Sequence, residues 1–558
     1  APYAKENPPE TLSSFSPLFA RILANRGLLD EASALAFIHP RFEDMHDPFL
    51  VNDMEKAVGR IYKAIKENQK IVVYADYDCD GIPGATVLHD LFKKIGYTNM
   101  RVYIPHRHDE GYGLNLEAIN EFIKEKVDLI ITVDLGSTDV EEIKLAQDND
   151  IDVIVTDHHE LPPILPVPFA LVNPKAGEYP ERMLCGAGVA FKVVQGFLKM
   201  YRDEYSIPIG WEKWSLDMAG LGTMADMVPL TGENRIIAYY GLLVLQKSRR
   251  PGFRELLRKM KIDQLHLTED DIGFMIAPRI NAASRMDIPY RAFELLSTDD
   301  LVQARTLADH LSKLNDDRKS QVATIMREIH KKLEEREDKP VIVIGSPLWN
   351  AGVLGLVAGK IADEHEKPVF VWGGETDEGY KGSCRSGGTV SVVDIMHGAG
   401  DIFIGFGGHE HAGGFSVSKE KVVMLEEELI RAFELLPVQE KSQVGHVVDI
   451  EVPADSFDPR VFREITKLAP FGIGNHKPLV ALTNSVIKST KHFGKEMNHF
   501  ELTIDIQRKP FKAIRFFGGA SSFATKPEEG KNAHILLTLE ESFFMRRPEI
   551  RARIIEIF

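Results

Sequence analysis

The chain has 558 residues, 44% of them hydrophobic and 27% charged, with a net charge of −16. These globular averages exclude wholesale disorder and collagen-like repeats, and the length implies three or four domains, each able to bury a core. No apolar run approaches the roughly 18 residues that cross a bilayer. The opening ten residues lack the basic patch and apolar stretch of a signal peptide, and Cys79, Cys185 and Cys384 form no CxxC. The expectation is therefore a soluble protein of a reducing, cytoplasmic setting, with neither a disulfide scaffold nor a zinc ribbon.

From about residue 70 the pattern is strand, loop, helix, repeated. Ile71–Ala75 reads as a buried strand and 84–96 as a helix with Val87, Leu88, Leu91 and Phe92 on one face. Further β-branched runs at 101–104, 128–133 and 152–155 alternate with helical patterns at 115–126 and 139–149. This alternation predicts a doubly wound, mostly parallel sheet. Helical patterns then run from about 187 to 337, and the stretch 299–338, free of Pro and Gly, predicts one long helix acting as a spacer. A second α/β unit follows, with strands at 341–345 and 369–372 around a helix at 352–365. Gly-rich loops at 373–388 and 405–414 bracket a further helix. After Pro437, strands at 444–452, 479–488, 499–506, 511–517, 533–540 and 551–558 predict a small barrel of the OB type. The predicted fold class is thus α/β: a doubly wound parallel-sheet domain over 1–298 with an N-terminal extension, a linker helix over 299–338, a smaller α/β domain over 339–437, and an OB-type β-barrel over 438–558.

The first chemically informative stretch is Asp76-Tyr77-Asp78-Cys79-Asp80-Gly81, directly after a buried strand. Three carboxylates within five residues repel one another unless a cation neutralises them, and open α/β sheets place ligands at the carboxyl ends of their strands. Alone, the motif reads as a solvated acidic loop or a helix cap at Asp80, because acidic loops are common. The second stretch, Val133-Asp134-Leu135-Gly136, again ends an apolar strand in Asp. The third is Thr156-Asp157-His158-His159-Glu160, and the fourth puts Asp226 inside the otherwise apolar 222–229. Jointly they place Asp or His from three strands at one sheet edge, with a fourth Asp from a helical region. Such ligands suit two divalent ions, Mn²⁺ or Mg²⁺. Two ions roughly 3.5–4 Å apart bind both the attacking and leaving oxygens of a phosphoryl displacement.

These four motifs, in this order and spacing, resemble the DHH phosphoesterases, named for the triplet that stands here as Asp157-His158-His159. Other stretches narrow the resemblance to the RecJ family of single-strand-specific exonucleases. They are 103–107 with 110–114, Ala277-Pro278-Arg279-Ile280-Asn281-Ala282-Ala283, 349–355, the glycine pairs Gly407-Gly408-His409 and Gly413-Gly414-Phe415, and Pro470-Phe471-Gly472-Ile473-Gly474-Asn475. The match runs from about residue 40 to the C-terminus.

The resemblance implies Asp78, Asp134 and Asp226 on one ion and Asp80, Asp134 and His158 on the other, with Asp134 bridging. Asp76 and Asp157 would orient the ligands and the loop, and His159 would lie beside the scissile phosphate. The implied activity is hydrolysis of single-stranded DNA, 5′→3′, to 5′-mononucleotides by water that the ions activate, in DNA repair and recombination. Arg107, Arg279 and Arg385 would clamp phosphates, with Ser383 beside them. Tyr112 would stack on a base, and Gly407, Gly408 and His409 would approach the strand from a DHHA1-like nucleic-acid-binding domain at 339–437. The glycine pairs around His409-Glu410-His411 argue for backbone approach rather than a metal there. Cys79 reads as a small filler. In two respects the chain departs from the pattern: Tyr74 stands where many superfamily members place a His, and Ser137 and Asn350 replace residues more usual in the family.

Charge alone favours a plain solvated acidic surface, while its distribution fits a metal enzyme with a separate polyanion-binding module. Residues 441–558 carry 18 Lys+Arg against 14 Asp+Glu, a balance of +4, leaving −20 for residues 1–440. Phe493, Phe500, Phe511, Phe516 and Phe517, with Lys491, Lys495, Arg508, Lys509 and Lys512, are expected to supply a core and a basic stacking groove. The implied partners are single-stranded DNA and a single-strand-binding protein or a helicase, with the chain a monomer. Three other readings remain: a DHH phosphodiesterase of oligoribonucleotides or cyclic dinucleotides, a pyrophosphatase, and a non-catalytic replication scaffold. The barrel argues against the first two, and the full set of acidic positions against the third.

Overall fold

Ile71–Ala75 (β1) is buried at every position, as befits an interior strand of a parallel sheet. In the computed structural model, which describes residues 8–107, 109–388, 390–437, 448–494, 497–516, 518–520, 523–542 and 549–558, β1 lies in a five-stranded sheet. Its neighbours are β2 Met100–Tyr103, β3 Leu129–Val133, β4 Asp152–Thr156 and β5 Ala170–Val172, in the order β2-β1-β3-β4-β5 with every pairing parallel. Only β5 is invisible in the sequence pattern, since three residues are too few for periodicity to show. Val72, Tyr74, Ile130, Val153 and Val155 pack on one face with Ile119, Phe122 and Ile143 of helices Leu116–Lys124 and Val140–Gln147. The strand order reverses between β1 and β3, so their carboxyl ends flank a crevice.

The 34-residue helix Leu301–Glu334 is more than a spacer. It packs against helices Pro251–Met260, Ala277–Met286 and Tyr290–Ser297. Its second half sends Val322, Ile325, Met326 and Ile329 into the core of the next sheet. That sheet joins β6 Ile342–Gly345, β7 Val369–Glu375, β8 Tyr380–Arg385, β9 Phe403–His409 and β10 Ala412–Val417 in the order β6-β7-β8-β10-β9, mixed in direction. The stretches read as Gly-rich loops are therefore largely strands. The glycines serve close packing: a Cβ on Gly382 would fall 2.1 Å from a ring carbon of Phe415.

A second unit holds the barrel together with residues 1–46 and 227–240. Strands β12 Val480–Phe493, β13 His499–Ile506, β14 Lys509–Arg515, β15 Asn532–Ser542 and β16 Glu549–Ile557 close through a β12–β15 pairing, and β11 Ile450–Pro453 adds in parallel to β12. The N-terminal segment, grouped above with the first α/β domain, belongs here. Leu12, Phe19, Ile22, Leu23 and Ile38 share one apolar core with Leu482, Phe500, Leu502 and Ile554, because the amphipathic helix Pro17–Asn25 needs an apolar surface on which to bury its face. Phe500 is core, and Phe511 packs partly against it. Phe493 and Phe516 are half-buried, cluster with His499, and carry the guanidiniums of Arg551 and Arg553 at 5.6 and 5.5 Å from the Phe516 ring. Phe517 and Lys495 lie outside the described residues, as do most of 444–449. Among the described residues no helix is long and apolar enough to cross a membrane.

Candidate functional site

The acidic loop leaves β1 as Asp76, whose N–H donates to the carbonyl of Val133 at the end of β3 (3.1 Å), so the two strand ends are tied edge to edge. Asp78 Oδ1 accepts from the N–H groups of Asp80 and Gly81 at 2.7 and 3.2 Å and shapes the loop. Asp80 occupies the N-cap position of helix Gly81–Ile95 without capping it. Its carboxylate crosses to another helix start, accepting from Gly186 N–H at 2.5 Å and Ala187 N–H at 2.8 Å. The positive end of helix Gly186–Tyr201 thus holds a buried anion.

Asp134 ends β3 in the left-handed region, at φ 64°, an uncommon backbone state for a residue other than glycine. That turn points its carboxylate at the loop. His158 Nε2 lies 3.0 Å from Asp134 Oδ1 and 3.8 Å from both Asp80 Oδ2 and Asp226 Oδ2. Two ligand groups emerge among the described residues, Asp76/Asp78/Asp134 and Asp80/His158/Asp226, each with donor atoms within 4.8 Å of one another. This differs from the division expected above, which set Asp226 with Asp78 and Asp134 and left Asp76 outside the ligands. A third grouping adds His159 to Asp134 and His158, but His159 Nδ1 is 2.7 Å from Asp157 Oδ1.

The electrostatics separate the two histidines. Burial, with the charge of His159, holds His158 down to about 4, so its imidazole is neutral and fit to ligate. Burial opposes charging of His159 too, but its hydrogen bond to Asp157 and the charges of Asp157, Asp226 and Asp76 raise it to about 9. Asp157 in turn stays well below the usual carboxylate range: burial is outweighed by His159, the Ser137 side chain and the charge of His158, and the Ser137 N–H donates to its Oδ2 at 3.0 Å. Burial and neighbouring carboxylates push Asp76 and Asp134 up, Asp80 to about 6 and Asp226 to about 8. Asp76 Oδ1 and Asp134 Oδ1 are buried without a hydrogen-bond partner. Mutually repelling carboxylates, orphaned oxygens and a neutral imidazole form a donor set suited to divalent cations.

Around this cluster lies a cleft of about 270 Å³ lined by Arg107, Tyr112, Asn281 and Arg285 beside the acidic and His residues. Arg107 lies 4.8 Å from the Tyr77 ring centre. Tyr112, expected to stack on a base, turns its hydroxyl to the carbonyl of Asp134 and to His159 Nδ1, each at 3.1 Å. Asn281 and Arg285, one helical turn apart on one face, were missed as site residues. The i, i+4 spacing from Asn281 was the available signal, and Asn281 Oδ1 accepts from Cys79 N–H at 2.8 Å. Arg279 does not line the cleft; it is buried and donates to Met275 O at 2.6 Å.

Ser383 and Arg385 share one face of β8. Arg385 rests against Gly355, where a Cβ would come within 3.0 Å of Nη2. Gly407, Gly408 and His409 are exposed on the edge strand β9, and His409 joins none of the ligand groups among the described residues. The departures have structural roles. Tyr74 is buried and donates to Gly113 O at 3.1 Å, Ser137 Oγ accepts from Asn173 at 3.1 Å, and Asn350 caps helix Ala351–His365. Cys79 is buried.

Comparison with known proteins agrees with this layout. Residues 70–223 match the DHH family, N-terminal domain, 338–435 the DHHA1 domain and 448–556 the RecJ OB domain. The single-stranded-DNA-specific exonuclease RecJ of Bacillus subtilis is 35% identical over 90% of this chain, and that of Escherichia coli K12 is 31% identical over 74% of each chain. The chain spans 63% of the Bacillus subtilis relative and 65% of the Thermus thermophilus relative. A crystal structure of RecJ in complex with Mn²⁺ from Thermus thermophilus superposes with a TM-score of 0.81 at 25% identity, covering 98% of this chain and 77% of that one. A RecJ structure bound to manganese gives 0.62 at 30% identity, covering 69% and 96%. Matching all three domains in order, with that identity to relatives of which it covers about three quarters, the chain belongs to the RecJ family.

Proposed function

We propose that this chain is a divalent-metal-dependent exonuclease that hydrolyses single-stranded DNA, 5′→3′, to 5′-mononucleotides in DNA repair and recombination. The observation that carries the reading is the pair of ligand groups meeting at Asp134, in one cleft with Arg107 and Arg285. Asp76, Asp78 and Asp134 would hold one Mn²⁺ or Mg²⁺, and Asp80, His158 and Asp226 the other. Tyr74, at the position where many superfamily members place a His, adds no ligand, since its hydroxyl is turned to Gly113 O. Bound ions supply a nucleophile at neutral pH and offset charge that develops on the phosphate.

The protein's own groups do the rest. Asp157 fixes the His159 ring and keeps it charged, so that it can donate to a phosphate oxygen. Tyr112 braces that ring and the Asp134 backbone. Arg107 and Arg285 grip the terminal phosphate, with Ser383 and Arg385 completing the clamp and Gly407, Gly408 and His409 following the strand backbone. The barrel, with Phe493, Phe516, Arg551 and Arg553, would hold the strand farther along. We further read the protein as a cytoplasmic monomer whose partners are single-stranded DNA and a single-strand-binding protein or a helicase. The test offers 5′-labelled single-stranded DNA, RNA, a cyclic dinucleotide and pyrophosphate with Mn²⁺ and identifies the products. Mononucleotides released from DNA support the reading, and turnover confined to the cyclic dinucleotide or pyrophosphate overturns it.

A further inference from the structure

One carboxylate outside the acidic cluster sits where three segments meet. Glu110 lies in the connection between β2 and helix Leu116–Lys124, three residues after Arg107 and two before Tyr112. Its Oε1 accepts from the Tyr103 hydroxyl at 2.5 Å and from Asn115 Nδ2 at 2.9 Å. Its Oε2 accepts from His106 N–H at 2.6 Å. Tyr103 ends β2, and Asn115 is the N-cap of the helix, where its Oδ1 accepts from Ala118 N–H at 2.7 Å. The Glu110 N–H also donates to His106 O at 2.8 Å, so both backbone groups of the residue before Arg107 are held by one partner.

Asn115 carries this hold into the sheet. Its Nδ2 also donates to the Tyr74 hydroxyl at 3.0 Å, and Tyr74 donates to Gly113 O at 3.1 Å. Tyr74 is fully buried in β1, the strand that delivers Asp76. Donors and acceptors match along the whole chain of bonds, from Tyr103 through Glu110 and Asn115 to Tyr74 and Gly113, and a satisfied network of this kind is stiff. Burial, then the bond to Glu110, raises the Tyr103 hydroxyl above its ordinary value and keeps it a donor.

The network brackets two residues of the cleft. Arg107 lies beside the Tyr77 ring, and Tyr112 reaches the Asp134 carbonyl and His159. Arg107 is half-buried and Tyr112 48% exposed, so core packing does not place them. Tyr112 also stands between Gly111 and Gly113, at φ 83° and 90°, backbone states that glycine adopts freely and that lend the segment no stiffness of their own. Something else must fix the connection, and the hydrogen bonds converge on Glu110.

We propose that Glu110 is a positioning residue of the cleft: through Tyr103, His106 and Asn115 it ties the connection down and sets Arg107 and Tyr112 against the acidic cluster, with Tyr74 as its anchor in the sheet. Glu110 itself belongs to none of the ligand groups among the described residues and does not line the cleft. It rests on the nuclease reading for the reaction that it serves.

The test uses Glu110→Gln, which keeps the shape of the side chain but turns an amide N–H toward a donor at one end. Wild type, Glu110→Gln, Arg107→Ala and the double variant form one cycle, and Tyr112→Phe replaces Arg107→Ala in a second. Affinity for a 5′-phosphorylated dinucleotide in Ca²⁺, and KM and kcat on single-stranded DNA in Mn²⁺, are measured for each. Glu110→Gln alone should raise Kd and KM about tenfold. In the Arg107→Ala background it should add less than about twofold to either, because that part of its effect runs through Arg107. Its effect on kcat should shrink in the same way in the Tyr112→Phe background. Full multiplication of the single effects in both cycles would overturn the positioning role, since a merely structural residue acts independently of Arg107 and Tyr112.

Hydrogen exchange reads the tie without turnover. Amides between residues 106 and 114 should exchange about tenfold faster in Glu110→Gln, with those of β1 and β3 unchanged. Unchanged exchange in the connection would overturn the proposal. Should Glu110→Gln fail to fold, Tyr74→Phe, which removes a single hydroxyl from the network, decides by the same readings. If the wild type neither binds nor hydrolyses DNA, the nuclease reading fails, while hydrogen exchange still decides whether Glu110 holds the connection.

Discussion

Gly186 has no room for a side chain: a Cβ there would fall 2.5 Å from the Cβ of Asp134. The start of helix Gly186–Tyr201 is pressed against the carboxylate at the centre of the acidic cluster, and its N–H also holds Asp80. Gly186→Ala is therefore expected to push Asp134 out of place, costing about 1–3 kcal/mol of stability and about 100-fold in turnover. Urea unfolding and initial rates check this, and wild-type turnover in the variant would show that the close approach is not restrictive.

Asp134→Asn tests the proposed bridging role of Asp134 without disturbing the backbone, since Asn tolerates the left-handed state that Asp134 adopts. Hydrolysis should fall about 100-fold or more. In EDTA the variant should melt higher than wild type, because one charge of a buried repelling cluster is gone. Mn²⁺ should stabilise it less than it stabilises wild type. Thermal melts with and without Mn²⁺ measure both, and equal stabilisation would remove Asp134 from the metal site.

Asp139 gives a pH signature outside the candidate ligand groups. Burial, partly offset by the Leu114 N–H that donates to its Oδ2 at 2.7 Å, raises its carboxyl to about 6. Unfolded, it would lose its proton near about 3.9. Between these values the folded state binds more protons, so raising the pH through this window lowers stability. Asp139→Asn keeps an acceptor for Leu114 and cannot ionise. It should be about 2–3 kcal/mol more stable than wild type above pH 7 and equal to it below pH 4. Parallel stability curves across pH 4–7 would contradict the assignment.

Arg285→Ala should raise KM for single-stranded DNA about tenfold while the bound manganese stays the same, because the side chain lines the cleft without belonging to a ligand group. A matching drop in manganese, read by elemental analysis, would make it a support of the metal site instead.

In the barrel, Phe516→Ala should weaken binding of long strands by about 1–3 kcal/mol, the worth of one stacked base, and should leave cleavage of very short oligonucleotides less affected. Removing everything after residue 437 is a poorer test, because Phe19, Ile22 and Leu23 would lose the core that covers them. Equal binding of long strands by Phe516→Ala and wild type would assign the aromatic cluster to packing.

Much of the site was legible in the chain because its acidic residues follow short apolar strands: Asp76, Asp134 and Asp157 each come directly after a β-branched run, and a parallel sheet brings such positions to one edge. Periodicity likewise revealed the first sheet apart from β5, the first two strands of the second sheet, the long helix and the barrel strands. What local pattern cannot show is which residues meet across elements. Only the fold decided that Asp226 lies by Asp80 and His158, that Arg279 turns from the cleft while Arg285 enters it, that Gly186 must be glycine, and that residues 12–38 complete the barrel core. Strand and helix assignments depend on repeats of two or three to four residues. Ligand partition, charge separation between His158 and His159, and shared cores depend on contacts between segments tens to hundreds of residues apart, and those are set by packing.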